Sequence, residues 1–145
     1  MEAVYRAVDG VLETSVGYTG GQVPNPNYRQ VCGGATGHAE AVEIWFDPAH
    51  VDYADLLDIF FAKHDPTQVN RQGPDVGEQY RSAIFFTTPE QERIARAKIA
   101  EINASGRLRK PIATQVAPLT EYWKGEDYHQ QYFEKQGVVG RLFGR

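Results

Sequence analysis

Between Gly17 and Glu40 the chain reads GYTGGQVPNPNYRQVCGGATGHAE, placing Tyr28, the only cysteine Cys32, His38 and Glu40 among glycines, prolines and asparagines. Such a stretch buries little apolar surface, and its Gly and Pro residues demand special backbone angles, so it is predicted to be a rigid polar loop carried by a scaffold. A thiol beside a potential acid suits sulfur chemistry. Glu40 opens a segment in which Val42 and Ile44 share its face, and an apolar surround there would favour the protonated carboxyl, a hydrogen-bond or proton donor. Tyr28 and Tyr80 each sit at a loop edge among Asn, Arg and Gln, where a hydroxyl could point into a cleft. Each of these residues also has a plainer reading. Glu40 could be an exposed edge glutamate, the tyrosines packing residues with wet hydroxyls, Asp75 a turn former in Gly73-Pro74-Asp75, and Cys32 a small buried hydrophobe.

Other chemistries find less support. The glycines match neither a P-loop nor a dinucleotide fingerprint. His38-Ala39-Glu40 has the H-x-E of zinc deaminases but no P-C-x-x-C partner, and the spacing of His38, His64 and His129 does not suggest a metal site. With a formal charge of -4 and Lys and Arg scattered along the chain, there is no nucleic-acid footprint, and the Arg141 to Arg145 stretch is too short to make one. One cysteine excludes an intrachain disulfide, and no apolar run reaches about 18 residues. A reducing, cytoplasmic location is the expectation.

The elements that must position these residues can be read from periodicity. Residues 1–145 are expected to form one domain of ordinary composition, 41% hydrophobic. Ala3, Val4 and Ala7 begin a helix with no capping residue and no signal-peptide pattern ahead of it, which suggests that upstream residues are missing. A strand over 11–17 follows. EAVEIWF alternates over 40–46, a second strand with Glu40, Val42, Ile44 and Phe46 on one face. Asp52 caps a helix whose Leu56, Leu57, Phe60 and Phe61 form one apolar stripe, ended by His64-Asp65-Pro66. Residues 65–78 form a second polar loop, and 79–87 a third strand. Thr88-Pro89-Glu90-Gln91 opens a helix through a capping box, with Ala95, Ile99 and Ile102 buried and Gly106 at its end. A fourth strand over 112–118 and a final helix carrying Tyr128, His129 and Tyr132 complete the pattern. Strands and helices intermix without a parallel repeat, so the expected fold is α+β, a two-layer α/β sandwich with a mixed sheet and a ferredoxin-like core.

Six motifs together carry a resemblance: Gly17-Tyr-Thr-Gly-Gly21, Asn27-Tyr28 with Cys32, Thr36-Gly-His-Ala-Glu40, His64-Asp-Pro66, Gln79-Tyr-Arg-Ser-Ala83 and Tyr128-His-Gln-Gln-Tyr132. In order and spacing, over nearly the whole chain, they closely resemble the class A peptide methionine sulfoxide reductases, which are specific for the S epimer. The resemblance implies reduction of methionine-S-sulfoxide, free or in proteins, as repair of oxidative damage. A thiolate attacks the sulfoxide sulfur while a protonated glutamate and two tyrosine hydroxyls bind the oxygen. Glu40, Tyr28 and Tyr80 match those three, and Asp75 matches an aspartate that organises the site. No bound cofactor or metal is implied, with thioredoxin or another thiol as reductant and no nucleic-acid or membrane partner.

One departure stands out. The family's nucleophile lies in a Gly-Cys-Phe-Trp segment just ahead of the helix that begins here at Met1, and that segment is absent from the sequence, as are recycling cysteines near the C-terminus. Cys32 corresponds to a different cysteine and is not expected to replace the nucleophile. The expectation is therefore a reductase domain truncated at its N-terminus, with little or no turnover by itself. The rival is a non-catalytic module that binds oxidised methionine in peptides through Glu40, Tyr28 and Tyr80.

Overall fold

A computed structural model describes residues 2–33, 36–125 and 140–144. Helix α1 (Glu2–Arg6) leads into strand β1 (Val11–Thr19), followed by α2 (Tyr28–Cys32), β2 (Ala39–Phe46) and α3 (Tyr53–Lys63). A short hairpin, β3 (Arg71–Gln72) and β4 (Asp75–Val76), precedes one 3-10 turn at Glu78–Tyr80. Strand β5 (Ala83–Phe86), helix α4 (Pro89–Ser105) and strands β6 (Gln115–Pro118), β7 (Tyr122–Lys124) and β8 (Gly140–Gly144) follow. Six strands make one sheet in the order β6-β5-β8-β2-β1-β7. Strands β5 and β6 run parallel and the other pairs antiparallel, which is the mixed sheet of the expected α+β fold.

Both faces of the sheet are covered. On one, Val42, Ile44, Phe46 and Ile84 meet Tyr5 of α1, the α3 stripe of Leu56, Leu57, Phe60 and Phe61, and Ala95 and Ile102 of α4. On the other, Ala39, Ala83 and Phe85 form a smaller cluster with Leu119 and Tyr122 against it. The start and stop of α4 act locally as read. Thr88 Oγ1 accepts from the Gln91 amide at 3.1 Å, Pro89 occupies the first turn, and Gly106 ends α4 in the left-handed region at φ 73°. The Gln91 side chain is bonded one residue earlier than a capping box requires, accepting from the Thr87 amide at 2.8 Å.

Several elements differ from the sequence reading. The expected strand over 79–87 begins only at Ala83, because Gly77 turns the chain at φ 141° and the Tyr80 and Arg81 amides donate back to Gly77 O and Glu78 O. The loop over 65–78 contains the β3–β4 hairpin. Strand β6 starts at Gln115 rather than 112, and β7 had no counterpart in the reading. The final helix, with Tyr128, His129 and Tyr132, lies outside the described residues. Among the described residues no helix is long and apolar enough to cross a membrane.

Two buried tyrosines allow a paired test. The Tyr5 hydroxyl donates to Leu56 O at 2.9 Å, whereas the Tyr53 hydroxyl has no hydrogen-bond partner among the described residues. Tyr5→Phe should cost about 1 kcal/mol by removing this hydrogen bond, the Leu56 carbonyl keeping its place in the α3 ladder, and Tyr53→Phe should be neutral or stabilising. Urea denaturation reads both, and equal effects would contradict the assignment. Burial also pushes both phenols above their ordinary pKa, Tyr53 adding to the shift of Tyr5. The neutral phenol is the form that folding favours. This contribution is complete below about pH 10, the unfolded value, and is lost as pH rises beyond it. The urea midpoint should fall above that pH, less steeply in Tyr5→Phe.

Candidate active site

Glu40 is placed by the β1–β2 ladder. In that antiparallel pair Val16 stands opposite Val42, Tyr18 opposite Glu40 and Thr19 opposite Ala39. Period-two alternation then puts Glu40 on the helix-covered face with Val42 and Ile44, half-buried, against a Tyr18 that is 3% exposed. This is the partly apolar setting that the alternation pattern suggested, not an exposed edge.

The backbone before Glu40 is stitched to the Gly20-Gly21 turn. The Gly21 amide donates to His38 Nδ1 at 3.0 Å, so Nδ1 carries no proton and Nε2–H donates to Val23 O at 2.7 Å. Gln22 N donates to Thr36 O at 2.9 Å and His38 N to Thr36 Oγ1 at 3.1 Å. Gly21 is needed for close approach, because a Cβ there would lie 2.4 Å from both His38 N and Thr36 O. His38 is thus a fully satisfied structural histidine, and its partners explain the Gly-Gly and Thr-Gly-His motifs.

Tyr28 is placed by a helix, α2, where the Gly- and Pro-rich composition predicts a loop. Asn27 and Gln30 form a complete capping box, Gln30 N donating to Asn27 Oδ1 at 2.8 Å and Asn27 N to Gln30 Oε1 at 2.9 Å. The Asn-x-x-Gln spacing was the available signal, masked by flanking Pro and Gly. Tyr28 opens α2 and is 39% exposed. Cys32 is the last residue of α2, and the expectation about its thiol lies outside the described residues.

The half-buried Tyr80 closes the 3-10 turn, which packs against both β3 and β2, the strand that carries Glu40. Arg81, not singled out from sequence, secures the turn. Its guanidinium donates to Glu78 O at 2.9 Å and to Gln115 Oε1 at 3.0 Å, and reaches within 3.0 Å of where a Gly20 Cβ would stand. Burial lowers the Arg81 pKa, with Glu78 opposing the shift. Asp75 pairs with Gln72 across the exposed hairpin, beside Gly73 at φ 57°. The hairpin is itself tied down, with Gln72 bonded to the backbone of Asp65 through both side-chain atoms and the Gly73 amide donating to Gln68 Oε1. The structure therefore brings the Tyr80 turn to the Glu40 strand, sets Tyr28 on α2, and holds Asp75 on a separate hairpin. Among the described residues no group of three or more His, Cys, Asp or Glu could hold a metal ion.

The stitch around His38 predicts its own stability effect. His38→Ala leaves the Gly21 amide and the Val23 carbonyl without these partners and should destabilise by roughly 2–4 kcal/mol. A loss under about 0.5 kcal/mol in urea denaturation, within the range of ordinary surface changes, would show that the loop does not depend on it.

The family model described as peptide methionine sulfoxide reductase matches residues 1–141. The peptide methionine sulfoxide reductase MsrA of Methanoculleus marisnigri is 55% identical over 137 residues, covering 94% of this chain and 84% of that protein. That of Geobacter metallireducens is 53% identical over 137 residues, covering 94% and 85%. Among solved structures, methionine sulfoxide reductase A of Corynebacterium diphtheriae superposes with a TM-score of 0.79 at 41% identity, over 90% of this chain and 66% of that one. Reduced Mxr1 from Saccharomyces cerevisiae gives 0.80 at 35% identity, over 90% and 76%. Sequence, fold and the motifs that build the site agree, and the chain belongs to the peptide methionine sulfoxide reductase family.

Proposed function

We propose that this domain, given an attacking thiolate, reduces methionine-S-sulfoxide, free or in proteins, to methionine, with Glu40, Tyr28 and Tyr80 as the oxygen-binding side of the site. The observation that carries this reading is Glu40, half-buried on the helix-covered face opposite Tyr18, on the strand against which the Tyr80 turn packs.

The chemistry asks for this kind of arrangement. When a thiolate attacks the sulfoxide sulfur, negative charge develops on oxygen, and preorganised donors in a partly desolvated site stabilise it. Glu40 is the proton source, and the Tyr28 and Tyr80 hydroxyls are the further donors. Asp75 organises the site from the β3–β4 hairpin. Sulfur is reduced from sulfoxide to thioether, and the thiol is oxidised to a sulfenic acid, which thioredoxin or another thiol returns to the reduced state. Cys32 is not the nucleophile in this reading. The sequence of 145 residues contains no Gly-Cys-Phe-Trp segment, so the attacking thiolate must be supplied to it.

The test is turnover of an S-sulfoxide substrate with dithiothreitol, using residues 1–145 alone and the same chain preceded by Gly-Cys-Phe-Trp. The first should show little or no activity and the second should turn over. In the active form Glu40→Gln should lower kcat/KM by about 100-fold, within the range set by loss of an acid catalyst, and Tyr80→Phe by about 10-fold. Normal turnover by residues 1–145 that Cys32→Ser abolishes would instead assign the attack to Cys32. Unchanged kcat/KM in Glu40→Gln would remove Glu40 from the mechanism.

A further inference from the structure

Basic residues that look scattered in the sequence converge in the fold. A groove of about 1060 Å³ lies between the end of α3, the stretch before β3 and the loop after α4. Five of the fifteen basic residues line it: Lys63, Arg71, Arg107, Arg109 and Lys110. All five are exposed, and its floor includes the apolar side chains of Phe61 and Leu108. The Ala113 amide fixes the wall after α4 by donating to Pro66 O at 2.7 Å.

Little within the described residues offsets this charge: Asp65 is held below the ordinary carboxylate range, first by its Thr67 hydrogen bonds and less by the nearby His64 and Lys110, and it stands against five cations. On α4, Arg93 pairs with Glu90, Arg96 with Glu92 at 3.0 Å, and Lys98 with Asp58 at 2.8 Å. The cations of the groove make no ion pair among the described residues. Among the described residues Asp65 is the one carboxylate lining it, its Oδ1 accepting from the Thr67 hydroxyl at 2.5 Å and the Thr67 amide at 2.9 Å. In a chain of formal charge -4, five cations gathered against one carboxylate make a local anion-attracting field.

The position of the groove relates it to the candidate site. Arg71 lies on β3, the strand paired with the β4 strand that holds Asp75, and its guanidinium donates to Gly73 O at the hairpin tip. A smaller cavity of about 390 Å³ shares Gln68 and Val69 with the groove and extends to Gly37, three residues before Glu40, and to Arg81, next to Tyr80.

We propose that this groove binds an acidic peptide segment of the oxidised protein substrate, so that methionine sulfoxide flanked by Asp and Glu is favoured. The inference rests on the proposed reductase function. The apolar floor suits a peptide better than a sugar-phosphate backbone, and the net negative charge of the whole chain opposes a long polyanion.

Fluorescence anisotropy on residues 1–145 tests it with labelled peptides: an acidic peptide containing unoxidised methionine, its neutral counterpart with Asn and Gln for Asp and Glu, and the S-sulfoxide form of each. In about 10 mM salt, where the Debye length is about 30 Å, the acidic unoxidised peptide should bind at least tenfold more tightly than its Asn/Gln counterpart, and near 150 mM the difference should shrink. Arg107→Glu with Arg109→Glu should lower its affinity tenfold or more at unchanged unfolding midpoint, while Arg93→Glu with Arg96→Glu on α4 should leave it alone. The acidic S-sulfoxide should bind most tightly of all. Equal binding of acidic and neutral peptides, insensitivity to the double reversal, or equally tight binding of an oligonucleotide of the same charge would overturn the groove's assignment. If the neutral S-sulfoxide peptide binds but acidic flanks add nothing, the groove proposal fails and the site reading stands. If acidic flanks bind but oxidation adds nothing, the groove binds acidic peptides without a link to the sulfoxide, and the substrate part of the proposal is overturned.

Discussion

The register of β1 against β2 is the constraint on which the rest depends. Val42, Ile44 and Phe46 are buried against Leu56, Leu57 and Phe60, and each such side chain contributes about 1.5–3 kcal/mol when withdrawn from water. A slip of one residue would move all of them to the opposite face and bring Glu43 into the apolar core. Residues without any chemical role therefore fix where the Glu40 carboxyl points. The same register sets Tyr18 across from it and the Gly17–Gly21 turn beyond it, where His38 can clamp the chain.

The opposite face of β2 shows how much polar organisation a doubly covered sheet demands. Glu43, 3% exposed, lies there across from Ser15, whose hydroxyl is 3.2 Å from Glu43 Oε1 and 2.7 Å from the Tyr122 hydroxyl. Serine has one proton to give. If it serves the carboxylate, Tyr122 donates to the serine, and the three groups form a directed chain. Gly17 makes room for this, since a Cβ there would stand 2.7 Å from the Tyr122 hydroxyl. Strand β7 is further held to β1 by the Thr19 hydroxyl, which donates to Glu121 O. On the helix side, Thr14 Oγ1 donates to Glu2 at 2.8 Å and anchors the first turn of α1 over β1. Polar groups thus position elements on both faces of a sheet whose burial is otherwise apolar.

Elements whose causes are local were legible. The α3 stripe, the Thr88-Pro89 start of α4 and the Gly106 stop each depend on a few adjacent residues, and each forms as read. Less was legible where local signals competed. Asn27 and Gln30 are a good cap pair, but the surrounding Pro and Gly gave the stronger loop signal, and α2 is a single short turn that the cap organises. Gln79 and Tyr80 carry strand-like composition, yet the backbone freedom of Gly77 and the reach of Arg81 to Glu78 O fold them into a 3-10 turn. That difference matters, because Tyr80 sits on a turn that packs against β2 rather than on a strand of the sheet.

By itself the sequence determined the fold class, the alternation that turns Glu40 inward, and the six ordered motifs that mark the family. These follow from spacing along the chain, which the residues carry wherever the chain goes. Only the tertiary structure decided that His38 is a clamp with both ring nitrogens engaged, that Arg81 secures the Tyr80 turn, and that Lys63, Arg71 and the Arg107 to Lys110 loop face one groove. Each of those depends on partners distant in sequence, such as Gly21 and Val23 for His38 and Gln115 for Arg81. Charges separated by more than forty residues add to one field only when the packing of α3 and α4 brings their ends together, and no spacing rule along a chain encodes that convergence.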